Sequence, residues 1–188
     1  KDVNKIAHEV HELVRIALTP HRGPVFADLP LDVVFADGQA EELELGRTHV
    51  REEMLEDMAQ AARLIAKAER PAIIAGTDVY WDGAWDDLRA AVEHLRVPTF
   101  VNGLGRGCLP ADHELAFSRT RGLLKTEADL VVVIGTPLDF RLSFGRFGDA
   151  KVIHVVDSPE QQAGHAVTEL SLVGPIDKAL ASWADHTG

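Results

Sequence analysis

Leu130-Val131-Val132-Val133-Ile134-Gly135 is the stretch of sequence that decides the fold. An unbroken apolar run rich in β-branched residues and closed by glycine is typical of a strand buried on both faces. Similar runs occupy residues 71–76, 97–101, 151–157 and 170–173. Because such strands must be hydrogen-bonded to neighbours and covered on both sides, they predict a largely buried parallel sheet.

Helical patterns alternate with these strands. Val50, Met54, Met58 and Ile65 share one helical face, and further helices are expected at residues 85–95, 115–126 and 175–183. Strands that alternate with helices and join by right-handed crossovers give a doubly wound fold. We therefore predict a three-layer α/β/α architecture around a mostly parallel, Rossmann-like sheet of about six strands.

The first part of the chain does not follow this alternation. Residues 6–18 predict a helix and residues 24–30 a short strand, which is too little to build a sheet. Acidic residues then accumulate and periodicity is lost. We predict that residues 1–32 are the C-terminal tail of another domain, that 33–49 form a linker, and that 50–188 form the Rossmann-like domain.

Composition narrows the classes of function. The chain of 188 residues carries 30 acidic and 19 basic residues, a formal charge of −11, which disfavours binding to nucleic acids and to anionic membranes. No apolar run is long enough for a membrane span, and no signal peptide is recognisable. Cys108 is the only cysteine, so neither an internal disulfide nor a cysteine-based metal site is expected. These features favour a cytoplasmic protein, and the start at Lys1 suggests a piece of something longer.

Ligands of doubly wound sheets bind beyond the carboxyl ends of the strands, which makes the glycines at these ends the first candidates. Gly76, Gly103 and Gly135 each end or follow a strand, where glycine lets the backbone approach a phosphate closely. The alternative is that each glycine only serves a strand-to-helix turn. The run from Gly103 to Gly107 lacks the third glycine of the dinucleotide fingerprint, because Cys108 stands there.

Charged residues follow two of the strands. Asp157 is placed to accept hydrogen bonds from ribose hydroxyl groups, or else to cap a helix. Arg141 is placed to bind a phosphate, with an ion pair to Asp139 as the alternative. Cys108 beside Arg106 has the setting of a thiol with a lowered pKa, although no neighbouring base accompanies it.

Several segments resemble a known family in their order and spacing. They are Arg22-Gly-Pro-Val-Phe-Ala-Asp-Leu-Pro-Leu-Asp32 and residues 70–76, 97–103, 105–113, 128–135, 139–145 and 152–157. Together they resemble thiamine-diphosphate-dependent enzymes of the acetolactate synthase, benzoylformate decarboxylase and 2-hydroxyacyl-CoA lyase group. The resemblance covers essentially the whole chain and implies a central domain preceded by the tail of the pyrimidine-binding domain.

The resemblance also implies what this chain lacks. The family's activating glutamate lies upstream, and its magnesium motif, Gly-Asp-Gly followed by Asn-Asn, is only partly matched by Gly148-Asp149-Ala150. We therefore expect no catalytic residue and no metal ligand here, with thiamine diphosphate and Mg²⁺ held by other domains of a parent enzyme. Those domains and further copies of the chain, as a homo-oligomer, are the expected partners.

A nucleotide site in this domain is a separate question. Family members that bind FAD carry a triple glycine where this chain has Gly76-Thr77-Asp78, whose carboxylate would repel a diphosphate. Gly135, Asp139 and Arg141 match a second family loop, and Asp157 matches the ribose-binding aspartate. FAD, ADP or CoA nucleotide binding and an empty architectural site both stay open. The rival hypothesis is a free-standing nucleotide-binding module.

Overall fold

The computed structural model describes residues 2–44 and 53–185, except for the side chains of residues 53 and 55. The chain divides into two compact units, Lys1–His49 and Val50–Gly188. Val50 and part of the predicted linker lie outside the described residues. The proposed domain assignments of 1–32, 33–49 and 50–188 stay predictions.

The first unit consists of one long helix and extended chain. Helix α1 (Ile6–Leu18) matches the predicted helix, and the four-residue helix α2 spans Leu31–Val34. The strand predicted for residues 24–30 is wrong, since this segment pairs with no strand and stays irregular. Among the described residues of this unit, Val33 is the one large apolar side chain that is buried.

The second unit contains a six-stranded sheet with strand order 3-2-1-4-5-6. The strands are β1 (Pro71–Ala75), β2 (Thr99–Val101), β3 (Ala116–Phe117), β4 (Leu130–Ile134), β5 (Lys151–Val156) and β6 (Leu170–Val173). Every neighbouring pair is parallel, with Ile73 of β1 opposite Val132 of β4 at the centre. The predicted α/β fold with a Rossmann-like sheet is confirmed.

Long helices cover one face of the sheet. They are α3 (Glu53–Lys67), α5 (Trp85–Leu95) and α6 (Ile176–Asp185), and a short helix α4 (Thr77–Trp81) follows β1. Buried Trp183 of α6 donates its indole N–H to the carbonyl oxygen of Met58 in α3, at 3.2 Å. At the start of α6, the N–H of Ile176 donates to the Asp82 carboxylate at 2.9 Å, which satisfies one of the free donors of a helix N-terminus.

The other face is covered by shorter segments. Two 3₁₀ turns, Arg121–Lys125 and Phe140–Gly145, bury Leu124 and Leu142 against Ile74 of β1 and its neighbours. The helix predicted for residues 115–126 is therefore wrong, because this stretch forms β3 and a 3₁₀ turn. Within the described residues, no helix combines the length and apolarity needed to cross a membrane.

Candidate functional site

Strand order reverses between β1 and β4, which is where doubly wound sheets bind their ligands. Backbone hydrogen bonds join the ends of β1 and β4 at this point. The N–H of Gly76, just after β1, donates to the carbonyl oxygen of Ile134 at 2.8 Å, and the N–H of Asp78 donates to that of Gly135 at 3.0 Å. The loops that follow β1 and β4 are thus hydrogen-bonded to each other at the expected ligand position.

Close packing accounts for each of the three candidate glycines. A Cβ atom at Gly76 would clash with the carbonyl oxygen of Gly135 and the Cβ atom of Thr136. Gly135 has φ +60°, and a Cβ atom there would lie 2.9 Å from that of Asp78. Gly103 has φ +53°, and a Cβ atom there would clash with the Thr77 hydroxyl oxygen. The glycines thus let these loops pack together.

Two carboxylates lie at the same edge of the sheet. Asp78 and Asp157 are both buried, and a carboxylate oxygen of one lies within 4.8 Å of a carboxylate oxygen of the other. The position predicted to contact ribose therefore lies beside a second acid.

Asp139 and Arg141 bind each other. The Arg141 side-chain Nε–H donates to Asp139 Oδ2 at 2.9 Å, and the Arg141 backbone N–H donates to Asp139 Oδ1, also at 2.9 Å. The hydrogen bond from the guanidinium is the main reason why the pKa of Asp139 lies below its usual value. The guanidinium carbon lies 5.8 Å from the centre of the Phe140 ring. The ion-pair alternative is therefore what the structure contains.

Two histidines that the sequence analysis did not single out hold the loop after β4. The His154 Nε2 lies 3.1 Å from the carbonyl oxygen of Thr136, and the His165 Nε2 lies 2.8 Å from that of Leu138. Because a carbonyl only accepts, each ring nitrogen must donate. A histidine at an inward position of an apolar strand was the one available signal for His154.

The partial magnesium motif and the lone cysteine have no reactive setting. Asp149 is exposed in the turn before β5 and belongs to no cluster of three metal-ligating side chains in the described part of the chain. Within the described residues, Asp149 therefore lacks the companion ligands that a magnesium site needs. Burial raises the pKa of the Cys108 thiol, so the expectation of a lowered pKa is wrong.

Fold and site together define a Rossmann-like domain in which the loops at the switch point are hydrogen-bonded to each other. Residues 58–182 match the family described as thiamine pyrophosphate enzyme, central domain, and the chain belongs to this family. The predicted resemblance is thereby confirmed.

Three related proteins illustrate the relationship. The acetolactate synthase large subunit IlvG of Mycobacterium tuberculosis is 35% identical over 193 residues, which cover 95% of this chain and 35% of that protein. The 2-hydroxyacyl-CoA lyase of Arabidopsis thaliana is 30% identical over 187 residues, which cover 93% of this chain and 32% of that protein. The crystal structure of benzoylformate decarboxylase from Polynucleobacter necessarius superposes with a TM-score of 0.69 at 25% identity, covering 97% of this chain and 36% of that one. This chain spans about a third of the length of the curated relatives it matches.

Proposed function

We propose that this chain is the non-catalytic central domain of a larger, cytoplasmic, thiamine-diphosphate-dependent enzyme that makes or breaks carbon–carbon bonds in 2-keto acids or acyl-CoA substrates. Residues 1–32 would belong to the pyrimidine-binding domain, 33–49 to a linker, and 50–188 to the central domain. The work of the central domain is to space the cofactor-binding domains and to contribute contacts in a homo-oligomer. Thiamine diphosphate and Mg²⁺ would be held by those other domains.

The observation that carries the scaffold role is the packing between the ends of β1 and β4. Gly76 and Gly135 bring the two loops into direct hydrogen-bonded contact where a nucleotide would have to enter. A ligand there would have to separate these loops and break their hydrogen bonds. The contact therefore favours a structural role for this edge over a binding role.

The charged groups favour the same conclusion for FAD, ADP and CoA. Each of these molecules carries a diphosphate, which an arginine can bind through paired N–H donors. Arg141, which matches a family nucleotide loop, already holds the Asp139 carboxylate. This pairing favours the scaffold role, and we propose no chemistry through a diphosphate.

Thermal unfolding of the chain with an excess of ADP, CoA or FAD tests the scaffold role. A ligand that binds only the folded state raises the midpoint, so a scaffold predicts no shift. The rival nucleotide-binding module predicts a shift that Arg141→Gln reduces and that Arg63→Gln, on exposed α3 surface, leaves unchanged. A shift with that pattern would overturn the scaffold role.

Calorimetry with thiamine diphosphate tests whether this chain lacks the catalytic cofactor site. We expect no binding heat from the chain in the presence or absence of Mg²⁺. Micromolar, magnesium-dependent binding, or turnover of pyruvate by the chain alone, would show that the catalytic machinery is not confined to other domains.

A further inference from the structure

Three aromatic side chains at the junction of α4 and α5 remain about half exposed. Tyr80, Trp81 and Trp85 have exposures of 48%, 50% and 43%. The Tyr80 ring centre lies 5.8 Å from that of Trp81 and 6.1 Å from that of Trp85. Single exposed apolar side chains are ordinary, whereas an exposed group of large aromatic rings marks a surface suited to binding.

A cavity of about 550 Å³ opens beside this group, between the start of α5 and the 3₁₀ turn after β2. Its lining consists of two aromatic rings, a glycine-rich turn, one cation and two apolar side chains: Tyr80, Trp85, Gly103, Leu104, Arg106, Gly107 and Cys108. The volume is typical of small-molecule sites. At Gly107 no atom lies within 4 Å of the place a Cβ atom would occupy, so the turn leaves the cavity open.

Arg106 is a cation at this cavity, and no ion pair joins it to a described residue. Arg89, Arg96 and Arg141 each form an ion pair with a nearby carboxylate. Arg106 is exposed and forms no such pair with any residue that the structure describes. In a chain with a formal charge of −11, a free guanidinium beside aromatic rings is a ready partner for a small anion.

We infer that this cavity binds a planar aromatic ring carrying a single carboxylate. The ring stacks on Tyr80 and Trp85, and the carboxylate takes the two parallel N–H groups of Arg106. The single positive charge of Arg106 balances the single negative charge of one carboxylate. A phosphate monoester carries about −1.5 to −2 charges at neutral pH and would leave charge uncompensated in this acidic protein. The site differs from the β1–β4 switch point, where the loops are hydrogen-bonded to each other.

Equilibrium dialysis of the chain with 2-naphthoate tests the assignment. Neutral 2-naphthamide provides the ring without the charge, and acetate provides the charge without the ring. We expect 2-naphthoate to bind at least about tenfold more tightly than either, since both contacts contribute. Naphthoate should also change the fluorescence emission of Trp85, and this change should be absent in Trp85→Leu.

Matched arginine variants locate the site. Arg106→Gln should weaken 2-naphthoate binding about tenfold, and Arg146→Gln, at another exposed arginine outside the cavity, should leave it unchanged. Circular dichroism checks that each variant is folded. Equal affinity for naphthoate and naphthamide, equal binding by Arg106→Gln, tighter binding of AMP than of naphthoate, or no binding of naphthoate would each overturn the proposal.

Discussion

The imidazole of His154 lies within β5 with no exposed surface. Burial is the main reason that its pKa is lowered; the hydrogen bond to Thr136 opposes this effect, and nearby His165 adds to it. A histidine whose pKa is lower in the folded state stabilises the fold fully above its unfolded pKa of about 6.5, and loses that contribution as pH falls towards the lower folded value.

His154→Leu should therefore flatten the pH dependence of stability. We expect the free energy of unfolding of the unmodified chain to fall as pH drops below about 6.5, and that of the variant to fall less. Urea unfolding across a pH series measures both. Exposed His94 provides the control, because His94→Gln should keep the original dependence. Parallel curves for all three proteins would contradict this account.

Asp129, like His154, predicts that stability falls on acidification, but at lower pH. Its carboxylate accepts the backbone N–H groups of Glu69 at 2.7 Å and Arg70 at 2.9 Å. Desolvation is the largest single effect and acts to raise the pKa, but these hydrogen bonds, together with the N–H of Asp129 itself and the charge of Arg70, lower the pKa overall. The stabilisation is present above the unfolded pKa of about 3.9 and is lost as pH falls through the lower folded value.

We expect Asp129→Asn to cost about 1 kcal/mol of unfolding free energy at neutral pH, a modest figure because the residue is only partly buried. The difference from the unmodified chain should shrink in acid, where Asp129 itself becomes neutral. Denaturant unfolding at neutral and acidic pH measures it. Asp149→Asn, at an exposed acid without such partners, should change the unfolding free energy by almost nothing. An equal loss of unfolding free energy at both positions would contradict the role given to the Asp129 hydrogen bonds.

At the scale of single residues the sequence predicted positions better than roles. Asp139 and Arg141 were placed correctly after β4, but whether Arg141 meets a ligand or Asp139 depends on side-chain geometry that spacing does not specify. His154 and His165 hold one loop from positions far along the chain from it. The position of His154 in an apolar strand indicates burial, but no local pattern reports which loop His154 and His165 contact, so sequence analysis missed both roles.

Among the elements, the contact between the ends of β1 and β4 allows a sharp test. Gly76→Ala introduces a methyl group into the carbonyl oxygen of Gly135, and backbone cannot move aside as a flexible side chain would. We expect a loss of about 3 kcal/mol or more in unfolding free energy. Thermal and urea unfolding measure the loss.

Gly122→Ala is the matched control for that substitution. Gly122 lies in a 3₁₀ turn, and no atom lies within 4 Å of the place its Cβ atom would occupy. The same chemical change should there be neutral or slightly stabilising, because alanine restricts the unfolded chain. Similar effects at Gly76 and Gly122 would show that the two loops do not pack as described.

Elements with strong local patterns were predictable, and those defined by distant pairing were not. The apolar runs became β1, β4, β5 and β6 nearly as predicted. Strand β3 has only two residues, and its pairing with Thr99 and Phe100 makes it a strand. Residues 24–30 show the converse, because an apolar run forms no ladder where no partner strand is present.

On the scale of the molecule, the distribution of apolar surface differs between the two units. The second unit encloses its core between helices, sheet and 3₁₀ turns. The first unit leaves Phe26 88% exposed and Phe35 83% exposed, with Leu31 also exposed between them. Large apolar side chains with this much exposure are typical of surfaces that take part in protein contacts.

We expect the chain to self-associate through this segment when no other domain is present to cover it. Phe26→Ser combined with Phe35→Ser removes two large apolar side chains that make few internal contacts, so the fold should survive while association weakens. Sedimentation velocity over a range of concentrations measures the change. Val167 is 93% exposed in the second unit, and Val167→Ser should leave association intact. A clean monomer at high concentration, or equal association by the double variant, would mean that this surface does not mediate contact between copies.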